Sequence, residues 1–184
     1  HFEEALEVFR DSYQAPHSNT AMVLLNLGSV AGEQKEFAAA RKFLDEALSI
    51  SRQALGPEHN FTAAILHAHA ELAVHENDLP RAQKLLEETI VILRKALGEQ
   101  HPDTAVAQNS LAQLALKRGD YAAAWKILDG NLSLSQRLFG KDHPHTATIL
   151  SDLAKLAVLE GDNDDAQRRW DEVRRIERRH TQYL

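Results

Sequence analysis

Histidines and carboxylates are the residues in this chain best placed to do chemistry, and they fall into a few patterns. His67, Glu71 and His75 stand at i, i+4 and i+8, which puts them on one face of a helix. Two ligands one turn apart can share a zinc ion, with the carboxylate as a third ligand or a base. Against this, His67 and His75 lie roughly 12 Å apart along a helix axis, too far to share an ion, and the HExxH spacing is absent. His17, His59, His101 and His143 recur every 42 residues. Held a whole repeat apart they cannot meet on one metal, so each is expected to cap or hydrogen-bond the start of a helix. His69 is expected to be partly buried and satisfied by a neighbour, with a pH-sensitive joint as the alternative. Asp162, Asp164 and Asp165 lack the twelve-residue loop of a calcium site, so they too are read as helix-capping residues.

Other chemistries find no support. There is no cysteine, hence no disulfide framework, thiolate nucleophile or thiolate metal site. No glycine-rich phosphate loop, nucleophile elbow or dinucleotide fingerprint occurs. Neither a cofactor nor a catalytic residue is expected, and the chain is read as no enzyme. The formal charge of −6 argues against a nucleic-acid partner, because phosphate binding needs a basic surface. No apolar run reaches the ~20 residues of a membrane helix and no signal peptide is visible, so a cytoplasmic location is expected.

The elements that must position these residues follow from an internal repeat. Leu55-Gly56-Pro57-Glu58-His59, Leu97-Gly98-Glu99-Gln100-His101 and Phe139-Gly140-Lys141-Asp142-His143 are spaced by 42 residues, with an eroded copy at Gln14-Ala15-Pro16-His17. A fixed period of this size marks a stacked repeat array. Aligned on it, Leu24, Leu66 and Leu150 share a column, followed by Leu27, Leu111 and Leu153. Small residues Gly28, Ala70, Ala112 and Ala154 come next, then Ala31, Ala73, Ala115 and Ala157. These fall at helical spacing and form one face of a first helix. A second helix carries Ala40, Ala82, Ala124 and Ala166, then Leu44, Leu86, Leu128 and Trp170 four residues on. Turn signals such as Arg118-Gly119-Asp120-Tyr121 separate the two. Nine helices are expected in a single array over 1–184: a partial leading helix at 1–13, then pairs at 17–55, 59–97, 101–139 and 143–184. Phe2 and Ala5 fall in register with Leu44 and Ala47, so the chain is expected to be a fragment of a longer array.

The columns Leu24, Leu27, Gly28, Ala31, Ala40, Leu44 and Ala47 resemble a tetratricopeptide repeat. The longer period and the Leu-Gly-x-x-His-Pro-x-Thr-Ala hinge, seen at Leu97 to Ala105 and closely at Phe139 to Ala147, resemble the kinesin light chain type. That resemblance implies an all-α fold, a right-handed superhelical α-solenoid of antiparallel hairpins that binds a protein or peptide in its concave groove. Carried over by position, the groove is lined by Met22, Leu25, Asn26 and Ser29, then Ala64, His67, Ala68 and Glu71. The later repeats supply Val106, Asn109, Ser110 and Gln113, then Thr148, Ser151, Asp152 and Lys155. The expected mechanism is shape complementarity, with Asn, Ser and Gln side chains fixing a peptide backbone. The alternative is a structural scaffold or spacer that self-associates through its end helices, and a metal-dependent enzyme using the His67, Glu71 and His75 stripe ranks below both. The final helix carries six arginines against three acids from Arg168 to His180, and is read as a solvated cap closing the seam.

Overall fold

The repeated hinge dictates a helix stop followed at once by a helix start. Gly56, Gly98 and Gly140 take φ of +97°, +96° and +92°, a conformation open to glycine because it has no Cβ. A histidine then turns back onto the chain it precedes. Nδ1 of His59, His101 and His143 accepts from the backbone N–H two residues on, at 3.1, 3.2 and 3.1 Å, and His17 does the same for Asn19 at 3.1 Å. One of the first-turn N–H groups that a helix leaves unpaired is thereby satisfied. A threonine closes the joint: the hydroxyls of Thr62, Thr104 and Thr146 donate to the carbonyls of Gly56, Gly98 and Gly140 at 2.8, 2.9 and 3.0 Å. Two joints add a buried serine from the preceding helix, Ser51 on Thr62 and Ser135 on Thr146, each at 2.8 Å.

The structure is a computed structural model that describes residues 17–181; the expected leading helix at 1–13 lies outside them. Among the described residues there are eight helices and no strand. They are α1 (Ser18–Glu33), α2 (Phe37–Ala54), α3 (Asn60–His75), α4 (Leu79–Leu97), α5 (Pro102–Lys117), α6 (Tyr121–Leu138), α7 (Pro144–Glu160) and α8 (Asn163–Thr181). No helix among them is long and apolar enough to cross a membrane.

Inside each pair the reversal is built the same way. Lys35, Asn77, Gly119 and Gly161, one period apart, carry positive φ. The next N–H reaches back to the alanine column, from Glu36 to Ala31, Asp78 to Ala73, Asp120 to Ala115 and Asp162 to Ala157, at 2.8 to 2.9 Å. This is the six-to-one closure that ends a helix with a left-handed residue. Asp78, Asp120 and Asp162 then cap the second helix by accepting from the N–H of Arg81, Ala123 and Asp165.

The chain divides into two compact units, one ending at Thr104 and the other beginning at Ala105. In the first, α1 packs on α2, α3 on α4, and α1 and α3 lie against each other. Phe61 and Ile65 of α3 seat on Ala21, Leu24, Ala47 and Ile50 of the preceding pair. The small column earns its place at Gly28, where a Cβ would come within 2.7 Å of the Leu44 side chain. Leu44 is thereby fully buried, a gain of about 1.5–3 kcal/mol for a side chain of this size. In the second unit Ala112, Ala124 and Leu128 of α5 and α6 hold Ile149, Leu153 and Leu156 of α7. The buried Asn131 amide donates to the Ala105 carbonyl at 3.3 Å.

Candidate peptide-binding faces

The alanine and leucine columns are used up in packing, which leaves the opposite face of each first helix to solvent. In the first unit α1 presents Met22, 49 % exposed, together with Asn26 and Ser29. The Ser29 hydroxyl donates to the Leu25 carbonyl at 3.1 Å. Leu25 itself is half-buried and packs on Phe43 and its neighbours. Its place among the lining residues therefore gives way to the core, because α3 covers that edge of α1. On α3, Ala64 and Glu71 are exposed and His67 is half-buried, while Ala68 is buried against Leu44 and Leu72.

The imidazole and carboxylate stripe of α3 does not converge. His67 Nδ1 lies 3.9 Å from a Glu71 carboxylate oxygen, and His75 instead stacks on Phe37 with ring centroids 6.5 Å apart. Among the described residues no group of three histidines or carboxylates is placed to hold a metal ion.

His69 differs from what its sequence column implies. It is 3 % exposed, and among the described residues neither ring nitrogen has a hydrogen-bond partner of good geometry, the Leu44 backbone making a marginal contact with the ring. Asp45 places a carboxylate oxygen 3.5 Å from Nε2, close enough to attract a protonated ring yet outside bonding geometry for the neutral one. The expected satisfied histidine is thus corrected to an unsatisfied one. Burial is the larger influence and pushes its pKa below the ordinary histidine value, with Asp45 pulling the other way. The cause is position: α3 turns this column inward onto α2, where leucine sits in the other repeats.

In the second unit Val106 is 44 % exposed, and Ser110 and Gln113 lie one and two turns on from it along α5. Asn109, between them, is 8 % exposed, and its side-chain carbonyl has no hydrogen-bond partner among the described residues. On α7 Thr148 and Lys155 are exposed, Ser151 is half-buried and Asp152 is buried. Asp152 was expected on an open face. Instead its carboxylate accepts from the Gln113 amide at 3.2 Å and from the Lys155 ammonium at 3.0 Å, tying α5 to α7. Neighbouring charges pair, which is what allows this carboxylate to be buried.

Most arginines of α8 are neutralised locally. Arg168 and Arg169 pair with Asp165, Arg174 with Asp171, and Arg175 and Arg179 with Asp142. The hydrogen bond from Arg175 is the chief reason the Asp142 carboxyl sits below its ordinary pKa. Burial alone would raise Asp165, but its bonds with Arg169 and Arg168 outweigh that and hold it low.

The sequence model of the tetratricopeptide repeat family matches residues 1–53, 19–95, 62–128 and 116–176 in overlapping copies. The chain belongs to the tetratricopeptide repeat family. Solved structures agree on the fold. BtubC (BKLC) from P. vanneervenii is 22 % identical with a TM-score of 0.84, over 100 % of this chain and 73 % of that one. A putative kinesin light chain from Podosopora anserina, with nearly identical TPR-like repeats, is similar in two structures. One, of a point variant, is 20 % identical with a TM-score of 0.79, over 98 % of this chain and 85 % of that one. The other is 21 % identical with a TM-score of 0.76, over 97 % and 85 %. No curated protein sequence matches. The fold is therefore an all-α helical repeat array of the kinesin light chain-like type. Such tetratricopeptide arrays are in general non-catalytic scaffolds for protein–protein interaction.

Proposed function

We propose that this tetratricopeptide array is a cytoplasmic, non-enzymatic recognition module, the regulatory part of a multidomain protein, and that it holds peptide segments of its partners against the exposed faces of its first helices. The observation that carries this is the open row of α5, where Val106 is 44 % exposed and Gln113 is exposed. Between them lies Asn109, whose enclosed side-chain carbonyl has no hydrogen-bond partner among the described residues, a cost of about 1–3 kcal/mol that a peptide N–H relieves once the Asn109 side chain turns outward. Val106 beside it offers apolar contact, and Ser110 and Gln113 add polar groups for a peptide backbone. In the first unit Met22, Asn26, Ser29, His67 and Glu71 provide the same mixture on α1 and α3. The mixed and largely uncharged lining favours backbone recognition over capture of a terminal carboxylate.

Asn109→Leu tests this against a purely structural role. Peptides selected from a random twelve-residue display library against the wild-type chain serve as probes. Their affinity for the second unit is expected to fall at least tenfold in Asn109→Leu while the melting temperature is kept or raised. Undiminished affinity in Asn109→Leu, with Ser110→Ala and Gln113→Ala equally without effect, contradicts the proposal.

A further inference from the structure

Formal charge in the first unit is sorted by helix. The first helices α1 and α3 carry no lysine or arginine and one carboxylate each, Glu33 at the end of α1 and Glu71 within α3. The cations of its helices lie on α2 and α4 instead, and they meet carboxylates there. Arg41 and Arg81 pair with Glu76, Arg52 with Glu88 and Lys95 with Glu58. Glu71 is treated differently. Its side chain is 58 % exposed and its charged neighbour is the His67 imidazole, 3.9 Å away; among the described residues no lysine or arginine pairs with it. The same column holds Gln113 and Lys155 in the second unit, so an open carboxylate on a first helix is particular to the first.

The groups beside Glu71 are acceptors. Ser29 occupies the Glu71 column one period earlier, on the helix that α3 lies against. Its hydroxyl donates to the Leu25 carbonyl, which leaves the oxygen to accept from a ligand. Asn26, exposed one turn back along α1, adds an amide carbonyl. A guanidinium answers such a set, because it carries five donors and no acceptor and its planar fork pairs bidentately with a carboxylate. An ammonium brings three donors from a single point. A carboxylate or phosphate meets like charge, with no cation on either first helix to offset it. Met22 and Ala64 share a column nearer the start of the two helices and are exposed, an apolar surface on which the stem of a long basic side chain can lie.

We propose that the first-helix face of the first unit selects partner segments that carry an arginine. The guanidinium pairs with the Glu71 carboxylate and donates to Ser29 Oγ, while its stem lies over Met22 and Ala64. This pairing presupposes the first-helix reading above and adds to it the chemistry of the segment, one arginine in an otherwise uncharged stretch.

The test takes fluorescein-labelled twelve-residue peptides selected by display against the wild-type chain and keeps those whose affinity falls in Met22→Ala or Asn26→Ala, which places them on the first unit. These peptides are expected to carry an arginine. Glu71→Gln, a change at an exposed side chain, should weaken them roughly fivefold or more by anisotropy, with the circular dichroism spectrum unchanged. Replacing the peptide's arginine by glutamine should do the same in the wild type and have little effect in Glu71→Gln, the coupling that marks a direct pair. Four outcomes overturn the proposal: no selected peptide that depends on Met22 or Asn26, dependent peptides without arginine, undiminished affinity in Glu71→Gln, or equal affinity when lysine replaces the arginine. Concentration-dependent self-association abolished by Glu71→Gln assigns the face to a second copy and also overturns it. Arginine-free peptides that still depend on Met22 or Asn26 leave the first-helix reading standing, whereas peptides that no substitution at Met22, Asn26, Val106 or Ser110 weakens remove both.

Discussion

Replacing His69 by leucine should stabilise the first unit, by an amount that grows as the pH falls. In the wild-type fold the imidazole is enclosed at 3 % exposure, with neither nitrogen in a well-formed hydrogen bond among the described residues. Leucine is the residue of this column at positions 27, 111 and 153. At pH 8 the ring is neutral folded or unfolded, and the substitution removes only unsatisfied polar atoms, a gain of about 1–3 kcal/mol. Burial depresses the folded pKa below 6.5, so on acidification the unfolded chain takes up its proton first. The stability present above about pH 6.5 is then lost progressively as the pH falls through the depressed folded value. The slope is at most about 1.4 kcal/mol per pH unit, and below the folded pKa this group causes no further loss. Asp45 faces the ring and, with the Leu44 backbone, limits the depression, while Arg81 and Arg52 add to it. Urea denaturation of both proteins from pH 8 to pH 5 gives the difference directly. His69→Leu should be the more stable throughout, by a margin that widens below pH 6.5. Curves that stay parallel over this range, or a variant less stable at pH 8, refute the reasoning.

The hinges and caps support smaller tests. Thr146→Val removes the donor to Gly140 and strands the buried Ser135 hydroxyl, so a loss of about 1–3 kcal/mol is expected; adding Ser135→Ala should restore part of it in a double-mutant cycle by chemical denaturation. Asp120→Ala deletes the cap of α6 and should cost about 1 kcal/mol, measured the same way. Arg175→Ala should move the Asp142 carboxyl back toward the ordinary aspartate pKa, since the Arg175 bond is what lowers it most; carbon-detected NMR titration reads the change.

The period carried much of this fold because each column meets the same neighbours in every repeat. Gly56, Gly98 and Gly140 announce their positive φ by composition, and the histidines after them could be read as caps because only a helix start lies within their reach. Lys35 could not be read this way. It takes φ of +63° with no glycine of its own to signal it, and only its place in the column of Asn77, Gly119 and Gly161 points there. The candidate face was legible in direction but not in depth. Column alignment shows which way Leu25, Ala68, Asn109 and Asp152 point, but not how far the next hairpin overlaps them. The Gln113 and Lys155 bonds that let Asp152 be buried join residues 39 and 3 positions away, a pairing set by packing rather than by spacing. The pairs Ser51 with Thr62 and Ser135 with Thr146 are not legible in the sequence for a related reason. The intervening joint has Leu93 in the serine column, so the pairing does not recur in every repeat.

The central claim is that partners are held on the first helices. Backbone amide NMR of the isotope-labelled chain, with one display-selected peptide added, tests it most directly. The account predicts shift changes at Met22, Asn26, Ser29, His67 and Glu71, or at Val106, Asn109, Ser110 and Gln113, with the exposed residues of α2, α4 and α6 unmoved. Changes confined to those second helices would contradict it.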